Sequence, residues 1–332
     1  LAYSYESNFI TENMPQNVSY FINTHKYGIL DAIENNRIAE QKVIDEWVKY
    51  HNEGNLNRRS NNVDPLLTVE FDQGAGWNAY CPEDSEGPGG HALVGGFEVA
   101  LAQIMHYWSW PTQGEGYKGY TSPYGFLEQD FSSAYYDYDV MEETIPADAT
   151  AQLLSDLGIA IETIYGAEES NYNFDDDFLL LSILPRHFFY QDEIEDVWSW
   201  DYDWSEYFEI LKNELDNSRP FIYAYFSGWS YTPSMVFDVD GYNEDHFHIN
   251  WGQGGIDNGY FTLDEGLALI NIVPMNANEP VLRLESSIFN EIDGDEDFVI
   301  NPGEQIEFIT SFYIPSIFAN AGSITIELET SE

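Results

Sequence analysis

One stretch, residues 89–111 (GGHALVGGFEVALAQIMHYWSWP), constrains what this chain can fold into more than any other. Phe97, Ala100, Leu101, Ile104, Met105 and Trp108 recur at the 3.6-residue period, which is the apolar stripe of a buried helix. Gly89, Gly90, Gly95 and Gly96 lead into the stripe and Pro111 follows it. The helix is therefore predicted to start near Gly96 and to stop before Pro111. A core around it is affordable in composition, since 43% of the 332 residues are hydrophobic and 16% aromatic, which excludes global disorder. That length suits one domain of about 200 residues with smaller pieces beside it.

Charge narrows the partners. Asp and Glu number 59 against 11 Lys and Arg, a formal net charge of -48. A phosphate backbone or an anionic membrane would be repelled, so nucleic-acid binding and membrane attachment are not expected. No run approaches 18 apolar residues, so no transmembrane helix is expected. The acidic surface suits a saline or calcium-rich exterior or cationic partners, or is simply a solvated shell. The one cysteine, Cys81, allows no intrachain disulfide. The opening LAYSYES carries no signal-peptide pattern and reads as the interior of a trimmed precursor or fragment.

Along the chain, residues 1–24 mix strand-like and loop residues, and a helical pattern runs from Ile22 to about Glu53. The polar stretch 52–64 reads as a linker, with Arg58 and Arg59 as an exposed processing site. An aromatic, glycine-rich region covers 113–139. Helices are expected at 147–166, 178–189 and 204–215, a buried strand at 221–226, and an antiparallel meander over 235–263 with turns at Asp240-Gly241, Asn243-Glu244 and Asn258-Gly259. After about Val273 the alternation and the NPGE turn read as the start of a β-sandwich. Asp293, Asp295 and Asp297 alternate as in the first half of a calcium loop, but no Glu stands at the twelfth position and no helices flank them; a Ca²⁺ site and a solvated acidic turn both fit.

Several phrases then agree in order and spacing: PLLT, a glutamine and YCP within 65–82, AQIM-x-Y at 102–107, SRP at 218–220, DGY at 240–242 and FHINWG at 247–252. Together they resemble the streptopain family of papain-like cysteine peptidases. The resemblance implies an α+β papain-like fold, a central buried helix packed on an antiparallel sheet. It divides the chain into the end of a propeptide-like segment and linker (1–64) and a peptidase-homology domain (65–274), while residues 275–332 resemble the start of an add-on Ig-like β-sandwich domain, incomplete at the chain end. Gln73 falls on the family's oxyanion-hole glutamine, whose amide donates to a developing oxyanion. Asn250 and Trp251 fall on positions that orient and shield the catalytic histidine, and Cys81 on a cysteine outside catalysis. Phe71, Gly76 and Trp77 depart from the entry phrase.

The catalytic pair is where the resemblance breaks. Anchored on AQIM, the family's cysteine falls on Gly96; anchored on DGY, its histidine falls on Met235, preceded by Ser234. Glycine supplies no nucleophile and methionine no proton shuttle. Phe97 and Glu98 also replace small residues. Glu98 reads as a carboxylate favoured by the helix dipole or as a cleft group that binds a cation. His91 and His248 read as structural histidines or as groups facing the cleft. No His/Cys pair has zinc-ligand spacing. The expectation is an exported, extracellular or surface-held bacterial protein that is not an enzyme: a pseudopeptidase serving as a binding or structural module. Its partner would be a protein or peptide, and no catalytic cofactor is expected. Two alternatives remain: a hydrolase with a relocated site using Cys81 or Glu98, and a calcium-dependent surface or filament subunit that self-assembles.

Overall fold

The structure, a computed structural model, describes residues 2–3, 14, 16–38, 41, 62–172, 177–226, 233–276, 283–293 and 305–313. The chain divides into two compact units, Leu1–Pro274 and Met275–Glu332. In the second unit β11 (Arg283–Asp293) and β12 (Gln305–Tyr313) pair antiparallel. Two strands do not by themselves make a sandwich. Asp293 ends β11, while Asp295 and Asp297, like Arg58 and Arg59, lie outside the described residues.

In the first unit, α1 (Gln16–Glu34) begins earlier than the apolar period suggests, directly after Pro15. Proline is at home just before or at the first helical position, because its missing N–H would be unpaired there anyway. The central helix is α2 (Gly96–Trp108), with the bounds the sequence predicts. Then come a hairpin of β3 (Tyr117–Ser122) and β4 (Gly125–Asp130), and α3 (Asp148–Ala160). They are followed by α4 (Asp177–Phe188), β5 (Glu195–Trp198) and α5 (Trp204–Asp216). The remaining strands are β6 (Phe221–Tyr225), β7 (Met235–Asn243), β8 (His246–Asn250), β9 (Gly259–Phe261) and β10 (Gly266–Ile270). With the short β1 (Ala2–Tyr3) they form one sheet in the order β1-β9-β8-β7-β6-β10-β5, and β2 (Asn62–Val63) also pairs with β7. Every pairing in it is antiparallel.

The sheet separates two hydrophobic cores. On one face lie α2, α3 and the end of α4, with Val99, Leu101, Ile104, Leu153, Leu157 and Phe188 all buried. On the other, α1 and α5 bring Val18, Phe21, Tyr207, Leu211 and Leu215 against Phe237, Trp251 and Phe261. The helix α2 is therefore enclosed between the sheet and α3, and every residue from Phe97 to Met105 is buried, off the predicted stripe as well as on it. Strand alternation assigns β7 to both cores. Phe237 and Val239 join the α1/α5 core, while Val236 packs on the α2 core.

Polar groups buried off the stripe fix how α2 sits on β7. The Gln103 side-chain amide donates to Asp238 Oδ2 at 2.7 Å, and its oxygen accepts the Phe71 N–H at 3.0 Å. Gln103 and Asp238 are both 0% exposed, and burial pushes the Asp238 carboxyl well above the usual carboxylate range. One side chain thus ties the helix, the strand and the segment that carries Gln73. Behind Trp251, Gly252 at φ +64° presses on α2, where a Cβ would stand 2.7 Å from Val99 Cγ1. Gln103→Leu strands two buried polar groups, each costing about 1–3 kcal/mol. Urea unfolding of that variant is expected to lose roughly 2–5 kcal/mol with an unchanged m-value.

Candidate functional site

The apolar stripe buries α2 so that its first turn opens on a cleft of about 360 Å³. Its floor is Gly96, the first helical residue, and Gln73 stands beside it. A Cβ built on Gly96 would lie 3.5 Å from Gln73 Nε2, 3.4 Å from the Val236 carbonyl oxygen and 3.9 Å from Val236 Cβ. These are ordinary van der Waals distances, so the floor accepts a Cβ without strain. The first amides of a helix have no partner within it, and the helix dipole concentrates positive potential there. A side-chain amide and a helix N-terminus thus converge on one point, a geometry suited to an oxygen acceptor.

Three segments supply most of the walls, with Pro88, Leu93 and Gln253 also in the lining. Asp72 and Gly74 flank Gln73; Glu168, Glu169, Ser170, Asn171 and Tyr172 form the loop after α3; Ser234, Met235 and Val236 open β7. Met235 lines the cleft, yet its side chain is 4% exposed and belongs to the α1/α5 core, and the neighbour nearest Gly96 is Val236. Tyr20 of α1 also reaches the cleft. Nothing in the sequence singled out Tyr20, because its place depends on how α1 docks. Asp72, Glu98, Glu168 and Glu169 give the lining four carboxylates, and no Lys, Arg or His stands among its described residues.

Glu98 is a cleft residue by position and a core residue by burial, at 1% exposure. It occupies the third position of α2 and accepts hydrogen bonds from the Gly95 backbone and from Thr163 Oγ1. This is the returning half of a capping box. Burial raises its pKa. The group is committed to closing its own helix. Cys81 is 4% exposed, and burial, with the nearby Glu98 charge, pushes its thiol up to about 12. A thiol so held is protonated and inert near neutral pH, so the geometry does not support Cys81 as a relocated nucleophile.

The other residues singled out in the sequence lie away from the cleft lining. His91 Nδ1 pairs with the Cys81 carbonyl at 2.8 Å. His248 Nδ1 meets Asp240 Oδ1 at 2.6 Å, and the second oxygen of Asp240 accepts the Leu67 N–H at 2.9 Å. Asn250 donates to the Val69 carbonyl at 2.8 Å and accepts the Gly252 N–H at 3.1 Å, pinning the turn after β8. Trp251 is 0% exposed among Phe21, Phe237 and Phe261, with its indole N–H on the Asp257 carbonyl at 3.1 Å. The Gln103–Asp238 link escaped the sequence reading, although a carboxylate inside an apolar strand was a visible signal.

The sequence profile of the peptidase C10 family matches residues 71–261. Streptopain of Streptococcus pyogenes serotype M1 is 24% identical over 221 residues, 59% of this chain and 54% of its own length. The thiol protease/hemagglutinin PrtT of Porphyromonas gingivalis is 25% identical over 211 residues, 60% of this chain and 23% of its own. This chain thus spans about half the length of streptopain. Among solved structures, a Prevotella intermedia prointerpain A fragment shares the fold with a TM-score of 0.63 at 22% identity, covering 82% of this chain and 88% of that one. The active interpain A cysteine protease of the same organism has a TM-score of 0.56 at 24% identity, covering 64% and 96%. These comparisons correct the expectation that the chain is not an enzyme. The matched family and relatives are cysteine proteases, and that relation does not indicate a pseudoenzyme. No helix among the described residues is long and apolar enough to cross a membrane.

Proposed function

We propose that this chain, which belongs to the peptidase C10 family, binds an extended polypeptide in the cleft at the start of α2. One observation carries the reading: the Gln73 amide and the α2 N-terminus converge at Gly96, on the floor of a cavity walled mainly by three separate segments. A peptide carbonyl oxygen is the acceptor such a point suits. With only hydrogen at position 96, a ligand backbone approaches the start of α2 and the Gln73 amide closely. Polypeptide binding precedes any cleavage, so the proposal stands with or without turnover.

The test is fluorescence anisotropy of labelled, unfolded casein with the full chain. Saturable binding is expected. Gly96→Phe fills the floor, where a Cβ meets its neighbours at ordinary distances, and is expected to weaken binding about 10-fold or more, the scale of one lost central contact. Equal binding by the two proteins contradicts the proposal.

A further inference from the structure

A row of cross-strand neighbours leads away from the cleft floor. Val236 pairs with Ala224, Ala224 with Leu267, and Leu267 with Trp198, so one row crosses β7, β6, β10 and β5. Val236 touches the cleft floor, and all four belong to or pack on the α2 core, so they share a face. The rim of the sheet follows the same line. Ser234 of the cleft lining donates its N–H to the Tyr225 carbonyl at 2.8 Å, and Phe226, next along, packs its ring 5.4 Å from Trp198. Trp200 lies 4.4 Å beyond, tilted by 30° to Trp198.

This end of the row is open. Trp200 is 59% exposed, and β5 ends the strand order of the sheet. The Trp198 indole N–H is held by Asp196 Oδ2 at 3.2 Å, which fixes the ring. Asp196 is exposed, as are Asp201, next to Trp200, and Glu265, next to Gly266, whose N–H bonds to Ser199 between the two indoles. Residues 187–211 and 220–282 contain no Lys or Arg, so these segments supply no cation of their own. A fixed aromatic face among carboxylates attracts a cation through the ring quadrupole as well as by charge.

We infer that Trp198, Trp200 and Phe226 form a subsite for a cationic side chain, arginine above all, of the polypeptide bound in the cleft. This rests on the cleft reading above. Three strand spacings of about 4.8 Å put Trp198 roughly 14 Å from Val236, the neighbour of Gly96 on the cleft floor. An extended chain covers that in about four residues. Arginine suits the platform better than lysine, because its planar guanidinium stacks on a ring while its edge meets carboxylates.

The test uses fluorescein-labelled nine-residue peptides of Ala, Gly and Ser with a single Arg moved along the sequence, each matched by a Gln peptide. At one position, Arg in place of Gln is expected to tighten binding to the full chain by about 2- to 30-fold, the range of a cation–π contact. Trp200→Ala removes that ratio, Trp200→Phe keeps part of it, and the Gln peptide binds all three proteins alike. The inference is overturned if the ratio survives Trp200→Ala, if both peptides weaken equally, or if no position shows an Arg advantage. Displacement of the Arg peptide by cellohexaose at a Trp200-dependent site would also overturn it, by making the platform a sugar site. Failure of the cleft reading looks different: a Trp200-dependent Arg advantage that Gly96→Phe leaves intact, with no loss of the Gln peptide, keeps the platform and rejects the cleft.

Discussion

Gly96→Cys is expected to give the protein a fast-reacting thiol where the wild type has none. The wild type's one cysteine is 4% exposed, with its thiol pushed up to about 12. At pH 8 its thiolate fraction is roughly 10³-fold below that of an ordinary cysteine with a pKa of about 8.5. Position 96 differs on each count. It lines an open cleft, a Cβ there meets its nearest neighbours at 3.4 Å or more, and it begins a helix whose dipole favours an anion. The carboxylates of Asp72, Glu168 and Glu169 oppose the dipole, so the thiol is not expected to fall to the values seen beside an imidazolium. Burial still decides the comparison. Titration with a chromogenic disulfide at pH 8 should consume one thiol per chain at a rate about 10³-fold above that of native wild type. Two equally slow thiols would mean that the cleft floor is closed.

Stability is expected to rise as pH falls from 7.5 toward about 5, against the usual course of acid denaturation. Three carboxyls, Glu98, Asp156 and Asp238, are at most 1% exposed and hold their protons more tightly than ordinary carboxylates because burial penalises the charge. A raised carboxyl favours the fold while it is protonated. That contribution is complete below the unfolded value and is lost as pH rises through the folded one. For Asp156 the window runs from 3.8 to about 6, worth roughly 3 kcal/mol at about 1.4 kcal/mol per pKa unit. Relief of self-repulsion at net charge -48 acts in the same direction. His106 and His187 act against it, since burial lowers their pKa and acid must charge them. His106 is half-buried and His187 buried, but the raised carboxyls outnumber them and prevail down to about pH 5. Below that, charging His106, His187 and His246, all held below the usual imidazole range chiefly by burial, turns the curve over. Calorimetry should find Tm higher at pH 5.5 than at 7.5 by about 5–10 °C, with the slope between pH 4 and 6 flattened by Asp156→Asn. A Tm that falls steadily from pH 7.5 to 5.5 would contradict this account.

The parts of the fold legible in the sequence were those set by local periodicity. The stripe from Phe97 to Trp108 gave α2 both its ends, and the alternation around DGY and FHINWG gave β7 and β8. What periodicity could not give is which segments meet. Val99 and Gln103 lie off the stripe and are buried because α2 docks on β7 and the turn after β8, where Gln103 meets Asp238 and Val99 meets Gly252. Tyr20 reaches the cleft only through the docking of α1, and Trp200 gains its place from the pairing of β5 with β10. Gly96 and Gln73 were legible as neighbours through the family resemblance. Val236, one residue past the motif-aligned Met235, was not, because which face a strand residue takes depends on the register of the whole sheet.

Hydrogen exchange of the full chain with and without unfolded casein tests the cleft most directly. Polypeptide bound at the start of α2 should slow exchange in the segments around Gln73, Gly96–Glu98, Ser170–Tyr172 and Ser234–Val236 together, while β3, β4 and the hairpin of β11 and β12 stay unchanged. Unaltered exchange in those cleft segments at a casein concentration that saturates anisotropy would contradict the central claim, because the polypeptide would then be held elsewhere.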